Sequence, residues 1–148
     1  MSEPVILLVE DNASDEELTL RALKKSHIVN KVVVARDGAE ALDYVFAQGA
    51  YAGRDVAEFP QVVLLDLNLP KLGGLDVLRR IRADERTKRL PVVILTSSKE
   101  ANDLAGGYEE GANSYIVKPV DFTQFSDAVR QLGLYWIVLN TPPPAPDK

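Results

Sequence analysis

Short, uninterrupted apolar runs punctuate the chain, and each ends on a residue with chemistry to offer. Val5-Ile6-Leu7-Leu8-Val9 runs into Glu10-Asp11, and Val62-Val63-Leu64-Leu65 runs into Asp66 with Asn68 two positions on. Val92-Val93-Ile94-Leu95 runs into Thr96, and Tyr115-Ile116-Val117 runs into Lys118-Pro119. Continuous runs of this length are the pattern of parallel strands buried on both faces. They predict strands at Val5–Val9, Gln61–Leu65, Pro91–Thr96 and Ser114–Val117, with a further short strand at Lys31–Ala35.

Between the strands the apolar positions change to helical spacing. A first helix is expected from near Ser14 to about Lys25, where Ser14-Asp15-Glu16-Glu17 resembles a capping box with acids in its first turn. Asp37-Gly38 turns the chain into a second helix carrying Ala39, Ala41, Leu42, Val45 and Phe46. Gln48–Pro60 reads as a surface loop. Pro70 and Gly73-Gly74 shape a tight loop before a helix through Leu75, Val77, Leu78 and Ile81. Ala101–Gly111 reads as a weaker helix, since each of Gly106 and Gly107 costs it about 1 kcal/mol. Asp121–Leu139 is the last helix, and the tail Thr141–Lys148, with its prolines, cannot continue it. Strands and helices alternating in this way predict an α/β fold, a doubly wound parallel sheet with right-handed crossovers. One domain over residues 1–140 with a proline-rich tail at 141–148 accounts for the 148 residues.

Open parallel sheets place their ligand sites beyond the carboxyl ends of their strands. Glu10, Asp11, Asp66, Thr96 and Lys118 therefore converge on one crevice. Three carboxylates a few ångströms apart repel strongly, and burial raises the cost. A hard divalent cation relieves the repulsion, and oxygen-only ligands suit Mg²⁺. Asp11 and Asp66 are the expected direct ligands, with Glu10 acting through water and the Asn68 backbone carbonyl completing the set. Asp66 ends the middle strand and is the expected nucleophile, since a carboxylate attacking a phosphoryl group forms an aspartyl phosphate. Lys118 supplies a cation for the developing charge, and Thr96 a hydroxyl for a phosphoryl oxygen once that group is present. Tyr115 is positioned to swing inward as Thr96 moves, which makes the pair a switch element.

Composition narrows the field. The net charge of −5 argues against nucleic-acid binding and against an anionic membrane surface. The absence of cysteine excludes thiolate catalysis and zinc–thiolate sites. No apolar run approaches the roughly 20 residues of a membrane-spanning helix, and a strand at Val5 leaves no room for a signal peptide, so the cytoplasm is the expected compartment. His27, the only histidine, falls between helix 1 and strand 2 as a surface residue, which makes the chain a poor phosphohistidine kinase. Two other chemistries use related sites. A haloacid-dehalogenase-like phosphatase needs a second acid two residues after its aspartate nucleophile, and here that position is Asn68. A flavodoxin-like cofactor binder needs a phosphate-binding loop after strand 1, where Glu10-Asp11 would repel phosphate.

With these residues in view, the chain resembles a response-regulator receiver domain of bacterial two-component systems over about residues 4–140. The motifs are Glu10-Asp11, Asp66 within Leu-Leu-Asp-Leu-Asn-Leu-Pro, Thr96-Ser97-Ser98, Tyr115 and Lys118-Pro119. The resemblance implies a flavodoxin-like receiver fold with strand order 2-1-3-4-5. It implies a signalling switch rather than an enzyme, one that accepts phosphate on Asp66 from a partner histidine kinase with Mg²⁺. It also implies a cis peptide between Lys118 and Pro119. Val9-Glu10-Asp11-Asn12 with Asp15, the long loop before strand 3 and the Tyr135-Trp136 ending are similar to the single-domain regulators of phytochrome-type kinases.

The last helix adds a surface. Phe122, Phe125, Val129, Leu132 and Trp136 form a core-facing stripe, while Leu134, Tyr135, Ile137 and Val138 leave the helix end apolar all round. A homodimer through this helix, strand 5 and helix 4 is expected, with residues 134, 135, 137 and 138 in the interface.

Overall fold

The structure, a computed structural model, describes residues 5–25, 30–55, 58–96, 101–117, 123–124, 127 and 130–131. Along these run β1 (Val5–Val9), α1 (Ala13–Lys25), β2 (Lys31–Ala35), α2 (Gly38–Val45) and a 3₁₀ turn at Gly49–Tyr51. They are followed by β3 (Val62–Leu65), α3 (Gly74–Ala83), β4 (Val92–Thr96), α4 (Ala101–Glu109) and β5 (Ser114–Val117). The strands form one five-stranded sheet in the order β2-β1-β3-β4-β5. Every pairing is parallel, with Leu8 opposite both Val34 and Leu64, and Ile94 opposite both Leu65 and Tyr115.

The continuous apolar runs are explained by burial on both faces. Leu7, Val9, Val63, Leu65, Val92 and Ile94 pack with Leu42, Val45, Val77, Leu78 and Ile81 from α2 and α3. Ile6, Leu8, Val62, Leu64, Val93 and Leu95 pack on the opposite face with Ala22 and Leu23 of α1. Each fully buried leucine or isoleucine contributes about 1.5–3 kcal/mol relative to exposure. The sheet is therefore stiff where it presents its strand ends.

Helix boundaries are set by local groups. α1 starts at Ala13, and Asn12 rather than Ser14 caps it, its Oδ1 accepting from the Asp15 N–H at 3.0 Å. α2 is capped by Asp37, which accepts from the Glu40 N–H at 2.7 Å. That hydrogen bond holds the Asp37 carboxyl below its ordinary pKa against the opposing effect of burial, and Lys71 adds to it. α4 stops at Glu109. Gly111, at φ +98°, closes it with the two hydrogen bonds of a Schellman motif, Ala112 N–H to Gly107 O and Gly111 N–H to Tyr108 O.

The stretch 48–60 departs from the expected surface loop. Tyr51 and Phe59 are half-buried and Pro60 is buried. Arg54 fastens the segment to the end of α2, donating to the carbonyls of Tyr44 and Val45 as well as to those of Asp55 and Glu58. Its guanidinium also lies 4.4 Å over the Tyr44 ring. A cation on the last carbonyls of a helix complements the helix dipole. Residues 123, 124, 127, 130 and 131 are helical, in keeping with a last helix at 121–139. The remainder of that helix, the boundary at 140 and the tail 141–148 lie outside the described residues.

Candidate functional site

The site is assembled by sheet hydrogen bonds. The Glu10 N–H donates to Ala35 O at 2.9 Å, extending the β1–β2 ladder one residue past Val9. The Asp66 N–H donates to Val9 O at 3.1 Å, tying the residue after β3 to the end of β1. Glu10 is 2% exposed and Asp66 7%, so both carboxylates sit inside the rim, while Asp11 is exposed. A Glu10 carboxylate oxygen accepts from the Asn12 N–H at 3.3 Å, which tightens the turn from β1 into α1.

Asp66 is held from two further directions. Its Oδ1 accepts from the Thr96 hydroxyl at 2.7 Å and from the Asn68 N–H at 3.2 Å. Thr96, at the end of β4, is fully buried. With no phosphoryl group present, this hydroxyl engages the carboxylate. Below the aspartate, a Cβ on Gly74 would lie 2.3 Å from Asp66 O and 2.7 Å from Leu67 Cα. Only glycine lets α3 begin this close to Asp66.

Carboxylate oxygens of Glu10, Asp11 and Asp66 all lie within 4.8 Å of one another. They line an open cleft of about 620 Å³ together with Asn12, Ala13, Ser14, Asp15 and Asn68. The donor set is oxygen only and carries three formal negative charges, which suits a hard divalent cation and excludes a softer thiolate or imidazole centre. Mg²⁺ fits such a site because one or two carboxylates suffice and its remaining positions stay with water or phosphate oxygens.

The predicted residues Glu10, Asp11, Asp66, Asn68 and Thr96 are thus gathered at adjacent strand ends. Tyr115 lies one strand further along, half-buried against the α2–α3 side of the core. Lys118 and Pro119 with their predicted cis peptide, His27, and the interface residues Leu134, Tyr135, Ile137 and Val138 lie outside the described residues. Two residues were not anticipated at the site: Asn12, whose cap aims α1 at the cleft, and Gly74, whose missing side chain seats Asp66. Asn12 was readable as an Asx cap two residues before the proposed one. Gly74 offered only its place in a Gly-Gly pair.

Comparison with known proteins agrees with this geometry. The sequence pattern defining the family described as "Response regulator receiver domain" matches residues 6–130. Response regulator Rcp1 of Synechocystis is 37% identical over 141 residues, covering 95% of this chain and 94% of its own length. The crystal structure of its Mn²⁺-bound form superposes with a TM-score of 0.87 at 36% identity, covering 95% of this chain and 99% of that one. The phosphorylated cyanobacterial phytochrome response regulator RcpA gives a TM-score of 0.89 at 38% identity, covering 97% of this chain and all of its own. The bacteriophytochrome response regulator AtBRR is 51% identical, with a TM-score of 0.76, covering 95% and 100%. Among the described residues no helix is long and apolar enough to cross a membrane.

Proposed function

This chain belongs to the response regulator receiver domain family, and on that premise we propose that Asp66 accepts a phosphoryl group from a phosphohistidine of a partner sensor kinase. The observation that carries the reading is the Glu10, Asp11 and Asp66 carboxylate cluster within 4.8 Å, with the Thr96 hydroxyl 2.7 Å from Asp66. In the transfer, an Asp66 carboxylate oxygen forms a bond to phosphorus as the phosphorus–nitrogen bond to the kinase imidazole breaks. The departing electron pair stays on the imidazole. Thr96 transfers its hydrogen bond from the carboxylate to an oxygen of the arriving group, and Lys118 pairs with another. Asp11 and Asp66 would hold Mg²⁺ directly, with Glu10 acting through water and the Asn68 carbonyl completing the protein's share. When bound, the cation neutralises charge on the transferring oxygens. The protein is a switch: its only chemistry is gaining and losing its own phosphate.

RcpA and AtBRR are named as phytochrome and bacteriophytochrome response regulators. Their likeness to this chain supports a phytochrome-type light sensor as the kinase, in the cytoplasm. Near-complete coverage of those relatives supports the same single-receiver layout. Output then passes through a changed surface or a second copy, with Leu134, Tyr135, Ile137 and Val138 in a homodimer interface. Tyr108, 53% exposed on α4, supports the part of that interface expected of helix 4. Light scattering over a concentration series tests it, and a monomer throughout the micromolar range would remove the dimer.

The test of the switch is incubation with acetyl phosphate, with and without Mg²⁺, read by intact mass. A metal-dependent gain of one phosphate that disappears in Asp66→Asn is expected. Equal labelling of the variant would reject Asp66 as acceptor.

A further inference from the structure

Helix α4 carries a slot. Gly107 is buried, and a Cβ there would lie 2.7 Å from Ile94 Cδ1 and 3.1 Å from Tyr115 Cδ2. Carbon atoms in ordinary contact stand about 3.5–4.0 Å apart. The isoleucine methyl and the edge of the tyrosine ring therefore occupy the space of the missing side chain. These two residues are partners across the β4–β5 ladder. Thr96 stands two positions beyond Ile94 on the same strand and face, fully buried, with its hydroxyl on Asp66. On the outer side, the rings of Tyr115 and Tyr108 lie 6.5 Å apart at 35°, and Tyr108 is the residue after Gly107. One face of β4 thus carries both Thr96, on the aspartate, and Ile94, against α4, and Gly107 is the point where that face meets the helix.

We propose that Gly107 is the positioning residue that couples Asp66 to the α4–β5 surface. By presenting no side chain, it gives Ile94 and Tyr115 a seat and leaves the tyrosine ring room to shift when phosphate draws Thr96 toward it. The inference rests on the receiver reading given above. Its bland counterpart, a helix made pliant by glycine, is distinguished by the neighbouring Gly106. Among the described residues a Cβ at that position would meet only Leu75 Cδ1, at 3.2 Å, and neither Ile94 nor Tyr115. Both substitutions to alanine stiffen the helix equally. Only one fills the slot.

The experiment uses the full chain as wild type, Gly106→Ala and Gly107→Ala, phosphorylated with acetyl phosphate and Mg²⁺. Intact mass reports occupancy of Asp66, and hydrogen exchange over residues 101–117 reports the response. All three proteins should reach the same phosphate occupancy. Wild type and Gly106→Ala should change protection on phosphorylation, while the change in Gly107→Ala should shrink by about fivefold or more, a loss of ordinary coupling size. An undiminished response in Gly107→Ala, or an equal loss in Gly106→Ala, would overturn the proposal. If Gly107→Ala does not fold, Gly107→Ala with Ile94→Val takes its place. That pair removes the closer overlap but keeps the new carbon against Tyr115, so a wild-type response from it would also overturn the proposal. Failure of the wild type to take up phosphate would instead reject the functional reading, and this inference with it.

Discussion

Replacing Asp11 by Asn should make the metal-free protein more stable and at the same time deprive it of stabilisation by Mg²⁺. The carboxylate oxygens of Asp11, Glu10 and Asp66 lie within 4.8 Å of one another. At that separation a pair of unit charges repels by about 0.9 kcal/mol in water and about 3.5 kcal/mol at an effective dielectric constant near 20. Asp11 is exposed, so the aqueous end of the range applies. Glu10 adjoins Asp11 in the chain and stays close to it on unfolding, so removing the Asp11 charge relieves one repulsion specific to the fold, that with Asp66, a gain of about 0.9 kcal/mol. For a chain of this size 1 kcal/mol moves the melting temperature by about 2–4 °C, so the variant should melt about 2–4 °C higher in EDTA. Mg²⁺ at ten times its Kd should stabilise the wild type by about 1.4 kcal/mol and the variant far less. Thermal unfolding in EDTA and in Mg²⁺ measures both effects. A variant that melts no higher than wild type in EDTA, and still gains the full increment from Mg²⁺, would refute the view that this carboxylate cluster is the metal centre.

Three further outcomes follow from single contacts. Gly74→Ala places a carbon 2.3 Å from Asp66 O, which should cost about 1–3 kcal/mol in urea unfolding. It should also slow phosphorylation by acetyl phosphate about tenfold or more, because the acceptor is displaced; an unchanged rate would show that Asp66 tolerates the shift. Thr96→Val removes the 2.7 Å hydrogen bond to Asp66. Hydrogen bonds to charged groups contribute about 1.5–3 kcal/mol, so the initial phosphorylation rate, followed by mass, should fall about tenfold or more. Asp37→Ala removes the α2 cap and should cost about 1 kcal/mol at pH 7. The Asp37 carboxyl is held below its ordinary value of 3.8 by the Glu40 N–H. Its contribution is therefore present above about pH 4 and is lost as the pH falls through the folded value. Urea titrations of wild type and variant should converge as the pH falls below about 4, and a gap that widens on acidification would reverse the assignment.

The strands were legible because burial on both faces requires uninterrupted apolar sequence, which β1 and β3 supply throughout and β4 up to its last residue, Thr96. The site followed, since a parallel sheet exposes its chemistry where such runs stop. Other features depend on partners that the sequence does not name. Asn12 and Ser14 are equally good caps in isolation. The choice is made by Glu10, whose carboxylate takes the Asn12 N–H and brings the chain into α1 one residue early. Arg54 in a polar loop reads as a solvated cation, yet the carbonyls of Tyr44 and Val45 recruit it and turn that loop into a packed flap. Gly74 and Gly107 are constrained by Asp66 O and by Ile94 and Tyr115, none of them adjacent in sequence. A glycine shows what it lacks, and only the folded neighbours show why.

The way the acids are held decides where a response to phosphate can arise. Glu10 and Asp66 are anchored through their backbones in the β2–β1–β3 ladder, so their mutual repulsion cannot relax by moving the strands apart. That fixed repulsion makes the cleft preorganised: a cation meets ligands already in place, without the reorganisation a flexible site would need. It also means the acids themselves are poor reporters of phosphorylation, since the sheet that aligns them resists displacement. The Thr96 hydroxyl differs, because it reaches Asp66 through a rotatable side chain at the very end of β4. On the coupling proposed above, movement begins at Thr96 and travels down the face that carries Ile94. There the glycine of α4, rather than a packed side chain, determines how far Tyr115 can follow.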